Sequence, residues 1–295
     1  MMPRGALAAC AALVTLGACA ASPVPNGYHE VVLSVSDLAG WRDTLTDVTG
    51  WTVVHEGDVE PSWLKAYGAR GGREVVLLNP GTNRGYVRLV NYDVASPRII
   101  RSHAQSWETG GWFDFNVRVL DMATTSAQFE ARGWQSTSDP VQFSFGPFVV
   151  SEWLARGPDG IVMAMIERIE PPLEGWPQLK RVSRPFNATQ VVSDFAAARH
   201  FYETVLGFEV YLEHEGASKA EGPNVLGLPH NLATTVPRCV VIVHPDGKNE
   251  GSVELLAFDG VRGRDFAEHA VPTNLGIASL RFVVPSVADV RARLT

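Results

Sequence analysis

The residues able to do chemistry in this sequence are spaced in ways that exclude the simplest kinds of site. No HxH, HExxH or CxxC spacing occurs, so no local zinc or redox motif is present. His200 falls in a helical stretch, and His214, His230 and His244 fall singly in or near later strands and loops, where an imidazole reads as a surface or satisfied residue. No Gly-x-Ser-x-Gly elbow marks an activated serine. The GGR at 71–73 follows no strand-to-helix pattern and reads as a hairpin turn rather than a phosphate cradle. The cysteines Cys10, Cys19 and Cys239 make no disulfide framework. Aromatic side chains crowd the middle of the chain, at Trp107, Trp112, Phe113, Phe143, Phe145, Phe148 and Trp153. Most belong to a core, and a fraction on a concave face would receive a flat or apolar ligand. A net charge of -7 without clustered Lys and Arg excludes nucleic acid as a partner.

The N-terminus speaks for export. Residues 1–18, MMPRGALAACAALVTLGA, carry one positive charge at Arg4 and then an apolar run too short to span a bilayer, the layout of a signal peptide. Leu16, Gly17, Ala18 and Cys19 resemble the bacterial lipobox. That resemblance implies lipidation at Cys19, a tether over residues 19–27 and a protein of the cell envelope, anchored to the membrane by lipid. Ala20 after the cysteine implies the outer membrane, facing the periplasm. Plain secretion with an incidental Cys19 is the alternative.

The elements that must position a site come from an internal repeat. Three segments align: VVLSVSDLAGWRDTLTDVTGWTVV from Val31, FNVRVLDMATTSAQFEARGWQST from Phe115, and ATQVVSDFAAARHFYETVLGFEVY from Ala188. Each opens with alternating apolar residues, turns at Asp37, Asp121 or Asp194, continues at helical spacing and stops at a glycine followed by an aromatic. The aspartate is an N-cap, whose carboxylate accepts from the free amides of the first turn. The glycine, at 50, 133 or 207, takes the left-handed conformation that ends a helix. The caps recur roughly 70 to 85 residues apart, right for one helix and several strands. Strand-like runs such as EVVLLNP, GYVRLVNY and IVMAMIERI complete each unit as β-α-β-β-β, and a fourth copy begins at Ile277 with Ser286 as its cap.

This pattern, with FYETVLGFEV and GPDGIVMAM as its most recognisable stretches, resembles the vicinal oxygen chelate superfamily, which includes glyoxalases, bleomycin-resistance proteins and extradiol dioxygenases. The resemblance implies an α+β fold of tandem βαβββ modules forming half-open barrels. Residues 28–170 are then expected to form one module pair, 171–185 a linker and 186–295 a second pair whose final module is incomplete.

In metal-using members of that superfamily the ion is held by a first-strand residue seven positions before the cap and by a last-strand Glu. Mapped here, the first-strand positions are Glu30, Asp114, Asn187 and Ser279, and the last-strand positions are Arg88, Ala164 and Glu254. None is histidine, and Arg88 brings a positive charge to a ligand position. Arg88 and Glu30 are therefore expected to form an ion pair in place of a ligand pair. No metal or other cofactor is expected, with a divalent ion on Asn187 and Glu254 as the alternative. A one-residue slip would bring in His29, but would also turn Val31, Leu33 and Val35 to the wrong face.

The expected function is metal-independent binding of a small-molecule ligand, with Glu30, Arg88, Asp114, Asn187 and Glu254 as ligand-binding residues. A glyoxalase-like lyase or isomerase, or a dioxygenase-related enzyme, is the first alternative. A component of an oligomeric assembly is the second, with a homodimer formed through the open edge of the last module.

Overall fold

The computed structural model describes residues 22–295, so the signal peptide and Cys19 lie outside the described residues. The first copy folds as β1 (Glu30–Ser34), α1 (Leu38–Thr49), β2 (Thr52–Asp58), a short α2 (Pro61–Tyr67), β3 (Gly72–Leu78) and β4 (Tyr86–Tyr92). The second gives β5 (Trp112–Arg118), α3 (Met122–Glu130), β6 (Val141–Phe145), β7 (Phe148–Arg156) and β8 (Val162–Glu170). The third gives β9 (Asn187–Val191), α4 (Phe195–Arg199) continued by a π-helical turn over His200–Val205, then β10 (Glu209–Gly216), β11 (Arg238–His244) and β12 (Ser252–Phe258). The fourth contributes β13 (Gly276–Arg281) and α5 (Val287–Leu294). The GGR segment opens β3 instead of turning a hairpin.

The predicted punctuation is present atom for atom. The carboxylates of Asp37, Asp121 and Asp194 accept from the amides of Gly40, Thr124 and Ala197 at 3.0, 2.9 and 2.9 Å, and the Ser286 hydroxyl accepts from Asp289 N at 3.2 Å. Each cap is worth about 1 kcal/mol. Gly50, Gly133 and Gly207 all have positive φ, at 78°, 82° and 70°.

Pairing of the copies differs from the sequence expectation. One sheet has the order β13-β1-β4-β3-β2 and the other β10-β11-β12-β9-β5-β8-β7-β6, so the second copy pairs with the third and the first with the fourth. In each sheet the two copies are joined by antiparallel first strands, β5 with β9 at the middle of the larger sheet and β1 with β13 at one end of the smaller. Residues 171–185 therefore connect strands of one sheet and do not separate two pairs. The cause lies in that segment, whose end is already zipped to β5: Ser183 N donates to Arg118 O at 2.8 Å and Phe186 N to Asn116 O at 3.0 Å. The chain enters β9 with its register on β5 fixed.

The convex faces of the sheets and their helices share one core, in which Val31, Leu33 and Leu45 meet Phe115, Phe129 and Met163. Trp41 of α1 stands edge-on to Trp134, their ring centroids 5.3 Å apart. Asp159 latches the first copy to the second, accepting from Ser36 N, Ser36 Oγ and Trp41 Nε1 at 3.0, 2.7 and 2.9 Å. Residues 22–27, read as part of a tether, lie against the third copy, where Val24 is buried beside Tyr202 and Phe208. No helix among the described residues is long and apolar enough to cross a membrane.

Candidate functional site

Concave faces are where the two sheets differ. On the five-stranded sheet, Glu30 and Arg88 face each other as expected, and the alternation that buries Val31 and Leu33 on the convex side leaves no slip that would admit His29. Arg88 donates to both Glu30 oxygens, from Nε at 2.8 Å and Nη2 at 2.9 Å, and from Nη1 to Glu74 at 2.6 Å. Arg281 on β13 adds a bond to Glu30 at 2.9 Å. Burial works against the Arg88 charge, but the two carboxylates outweigh it and hold its pKa above the ordinary value. Trp63 of α2 closes the face, with the Arg281 and Arg88 guanidinium carbons 4.4 and 5.5 Å from its ring centroid. This network is a plug.

The eight-stranded sheet keeps its concave face open around a cavity of about 520 Å³. Strand register builds its floor. Asp114 lies opposite Thr189, and Thr189 opposite Glu254, so the three share one row across β5, β9 and β12. The next row holds Asn116, Asn187 and Ser252. The Asn116 amide donates to Asn187 Oδ1 at 2.8 Å and to Asp114 Oδ1 at 3.1 Å, and Asn187 Nδ2 donates to Ser252 Oγ at 2.9 Å. Apolar walls come from Phe148, Leu154, Leu212, Val240 and Leu256.

A third carboxylate, Glu152 on β7, also enters the cavity. Asp114 is buried and Glu152 and Glu254 are partly so, and in all three burial is the first cause of a raised pKa. Burial pushes Asp114 up to about 7 against the pull of Thr189, Arg101 and Asn116. Burial, then the Asp114 charge, pushes Glu152 up to about 8. Glu254 is raised well above the usual range by burial and by both other acids. Near neutral pH the site therefore holds protons on carboxyls that water would leave charged.

The structure thus divides the five expected site residues. Asp114, Asn187 and Glu254 meet in the open cavity, while Glu30 and Arg88 are locked in the plug of the other sheet. Sequence reasoning missed Asn116, Arg118, Glu152, Arg168 and Thr189. A signal existed for some of them: in the run WFDFNVR, Asp114, Asn116 and Arg118 alternate with Phe and Val, the period-two mark of a polar row on one face of a strand.

The positions that hold metal in the superfamily pattern do not make a donor set here. Ala164 is buried and offers no ligand, and the Asn116 amide points its hydrogens at the very oxygens of Asp114 and Asn187 that a cation would need. Among the described residues no group of three or more His, Cys, Asp or Glu side chains is arranged to hold a metal ion.

Paired βαβββ modules with a curled eight-stranded sheet define the glyoxalase-like fold. Solved structures with this architecture include glyoxalase I from Zea mays, which superposes with a TM-score of 0.52 at 17% identity over 80% of this chain and 69% of that one. A Bacillus subtilis protein described as a dioxygenase superposes with a TM-score of 0.50 at 14% identity, covering 80% of this chain and 64% of its own. At these identities the likeness is one of fold. No family model matches the sequence, and no curated protein matches it.

Proposed function

We propose that this chain is a member of the vicinal oxygen chelate superfamily that binds a small organic molecule in the cavity of the second and third modules, without a divalent metal. The observation that carries the reading is a cavity of about 520 Å³ whose walls are apolar and whose floor is a row of buried, hydrogen-bonded polar groups. That division of labour, area from the walls and orientation from a few fixed polar atoms, is what small-molecule sites share. Metal independence is supported by Ala164, which offers no ligand, and by the Asn116 amide, which directs hydrogens at Asp114 Oδ1 and Asn187 Oδ1 and so competes with a cation for them.

Filling the space tests it. Titration of the full chain with the neutral apolar dye Nile red is expected to give saturable one-site fluorescence enhancement. Leu154→Trp, whose side chain lines the cavity, is expected to weaken that binding at least about tenfold with an unchanged circular dichroism spectrum. Equal affinity in the two proteins would place the dye elsewhere and defeat the reading.

One observation favours a second reading, acid–base catalysis on the bound molecule as in a lyase or isomerase. Carboxyls at about 7 and about 8 can exchange protons with a substrate at neutral pH. Deuterium wash-in at a carbon acid, lost in Glu152→Gln, would separate catalysis from plain binding.

A further inference from the structure

At the other end of the same cavity stand two arginines with unused donors. Arg118, at the end of β5, is 7% exposed, lies over Phe186 with its guanidinium carbon 4.2 Å from the ring centroid, and leaves Nε with no hydrogen-bond partner. Arg168 on β8 lies 3.9 Å over the ring of Phe148, and its Nε is also unpartnered. Both line the cavity. Among the described residues neither forms a salt bridge, and Glu152, whose charge would draw on Arg118, keeps its proton up to about 8 because burial raises its pKa. A buried guanidinium cannot shed its charge at ordinary pH, so leaving it unpaired is costly. The neighbouring Arg168 charge and burial both press on Arg118, whose pKa is lowered to about 10, first by burial and then by Arg168. A pair of stacked, free guanidinium forks is a receptor for an oxyanion.

Three acids in the same space limit which oxyanion fits: Asp114 and Glu254 share the far row, and Glu152 stands in the row of Arg118, both opposite Ile166. A multiply charged phosphate would press on all three, whereas a single carboxylate would not overload the space. Along β5 the two poles, Asp114 and Arg118, are four residues apart, about 13 Å between Cα atoms. Resting on the proposal that this cavity is the binding site, we propose that its ligand is a small zwitterion with well-separated charges. Its carboxylate lies between Arg118 and Arg168, and its ammonium group is turned toward Asp114 and Glu254, where its charge favours the ionised carboxylate and the proton is released to solvent as it binds. The apolar walls between the poles take an aliphatic or aromatic spacer.

The test is calorimetric titration of the full chain with ε-aminocaproate, caproate and hexylamine, which share a spacer and differ only in their charged ends. The expected order places ε-aminocaproate at least about tenfold tighter than either monopolar analogue. Arg118→Met is expected to cost both carboxylate-bearing compounds about tenfold and to leave hexylamine unchanged, and Glu254→Gln to do the reverse. Arg168→Met, at a less buried position, repeats the first comparison should the Arg118 variant fail to fold. Hexylamine binding as tightly as ε-aminocaproate, or carboxylate affinities indifferent to both arginine variants, would overturn the inference. If no charged compound binds while Nile red still does, the zwitterion is wrong and the cavity reading stands; loss of the dye as well removes both.

Discussion

Replacing Arg88 with methionine is expected to lower the free energy of unfolding by about 3–5 kcal/mol. The guanidinium makes three bonds, two to Glu30 and one to Glu74, and the side chains of those carboxylates are 4% and 8% exposed. Removing the cation leaves Glu74 with only the imidazole of His55, 3.4 Å away, and Glu30 with the half-exposed Arg281. Desolvated carboxylates without their partner are far costlier than a lost surface pair, which would be worth about 0–1 kcal/mol. Urea denaturation measures the difference. The combined variant Arg88→Met, Glu30→Gln, Glu74→Gln is expected to recover most of the loss, because it removes the stranded charges along with their counter-ion. A loss below about 1 kcal/mol in Arg88→Met would mean that the network behaves as a surface feature. The account of the five-stranded sheet as a plugged site would then fail.

Local punctuation was legible in the sequence because it is set within a few residues. The Asp37, Asp121 and Asp194 caps each act on an amide three positions on, and the glycines at 50, 133 and 207 act on their own backbone. The Glu30–Arg88 pair was legible for a different reason: parallel β1 and β4 of one copy bring the two positions together in any chain that folds this unit. Pairing of the copies was not legible, since the alternating pattern of a first strand says which face is buried but not which other first strand it will meet. That choice was made by residues 182–186 zipping onto β5, a segment read only as a linker. Glu152 escaped for the same kind of reason. Nothing in VVSEWLA says that β7 will curl its Glu toward Asp114 and Glu254, which arrive from β5 and β12.

Those three carboxyls give the chain an unusual dependence on pH. Glu152 is expected to weaken the fold as pH rises, because its folded pKa of about 8 lies above its ordinary value of 4.5. Between those values the folded chain keeps a proton that the unfolded chain has released, so stability is full at low pH, falls through the window and levels off above about 8. The gap corresponds to a loss on the order of 3–5 kcal/mol between pH 4 and pH 9. Asp114, raised to about 7, falls in the same direction over a lower window. Glu152→Gln keeps the shape of the protonated acid and cannot ionise. It is therefore expected to unfold at nearly the same urea concentration as the parent at pH 4 and to be the more stable protein at pH 9. Losing one negative charge also eases ionisation of Asp114 and Glu254, which adds to the gain. His29 and His244, whose pKa values are lowered mainly by burial, work in the opposite sense, since they favour folding as they lose their protons. Both are present in parent and variant, so they cancel in the difference. Parallel stability curves from pH 4 to pH 9 would mean that water reaches these carboxyls freely, and the cavity would then lack the enclosed, weakly polar floor on which its binding role depends.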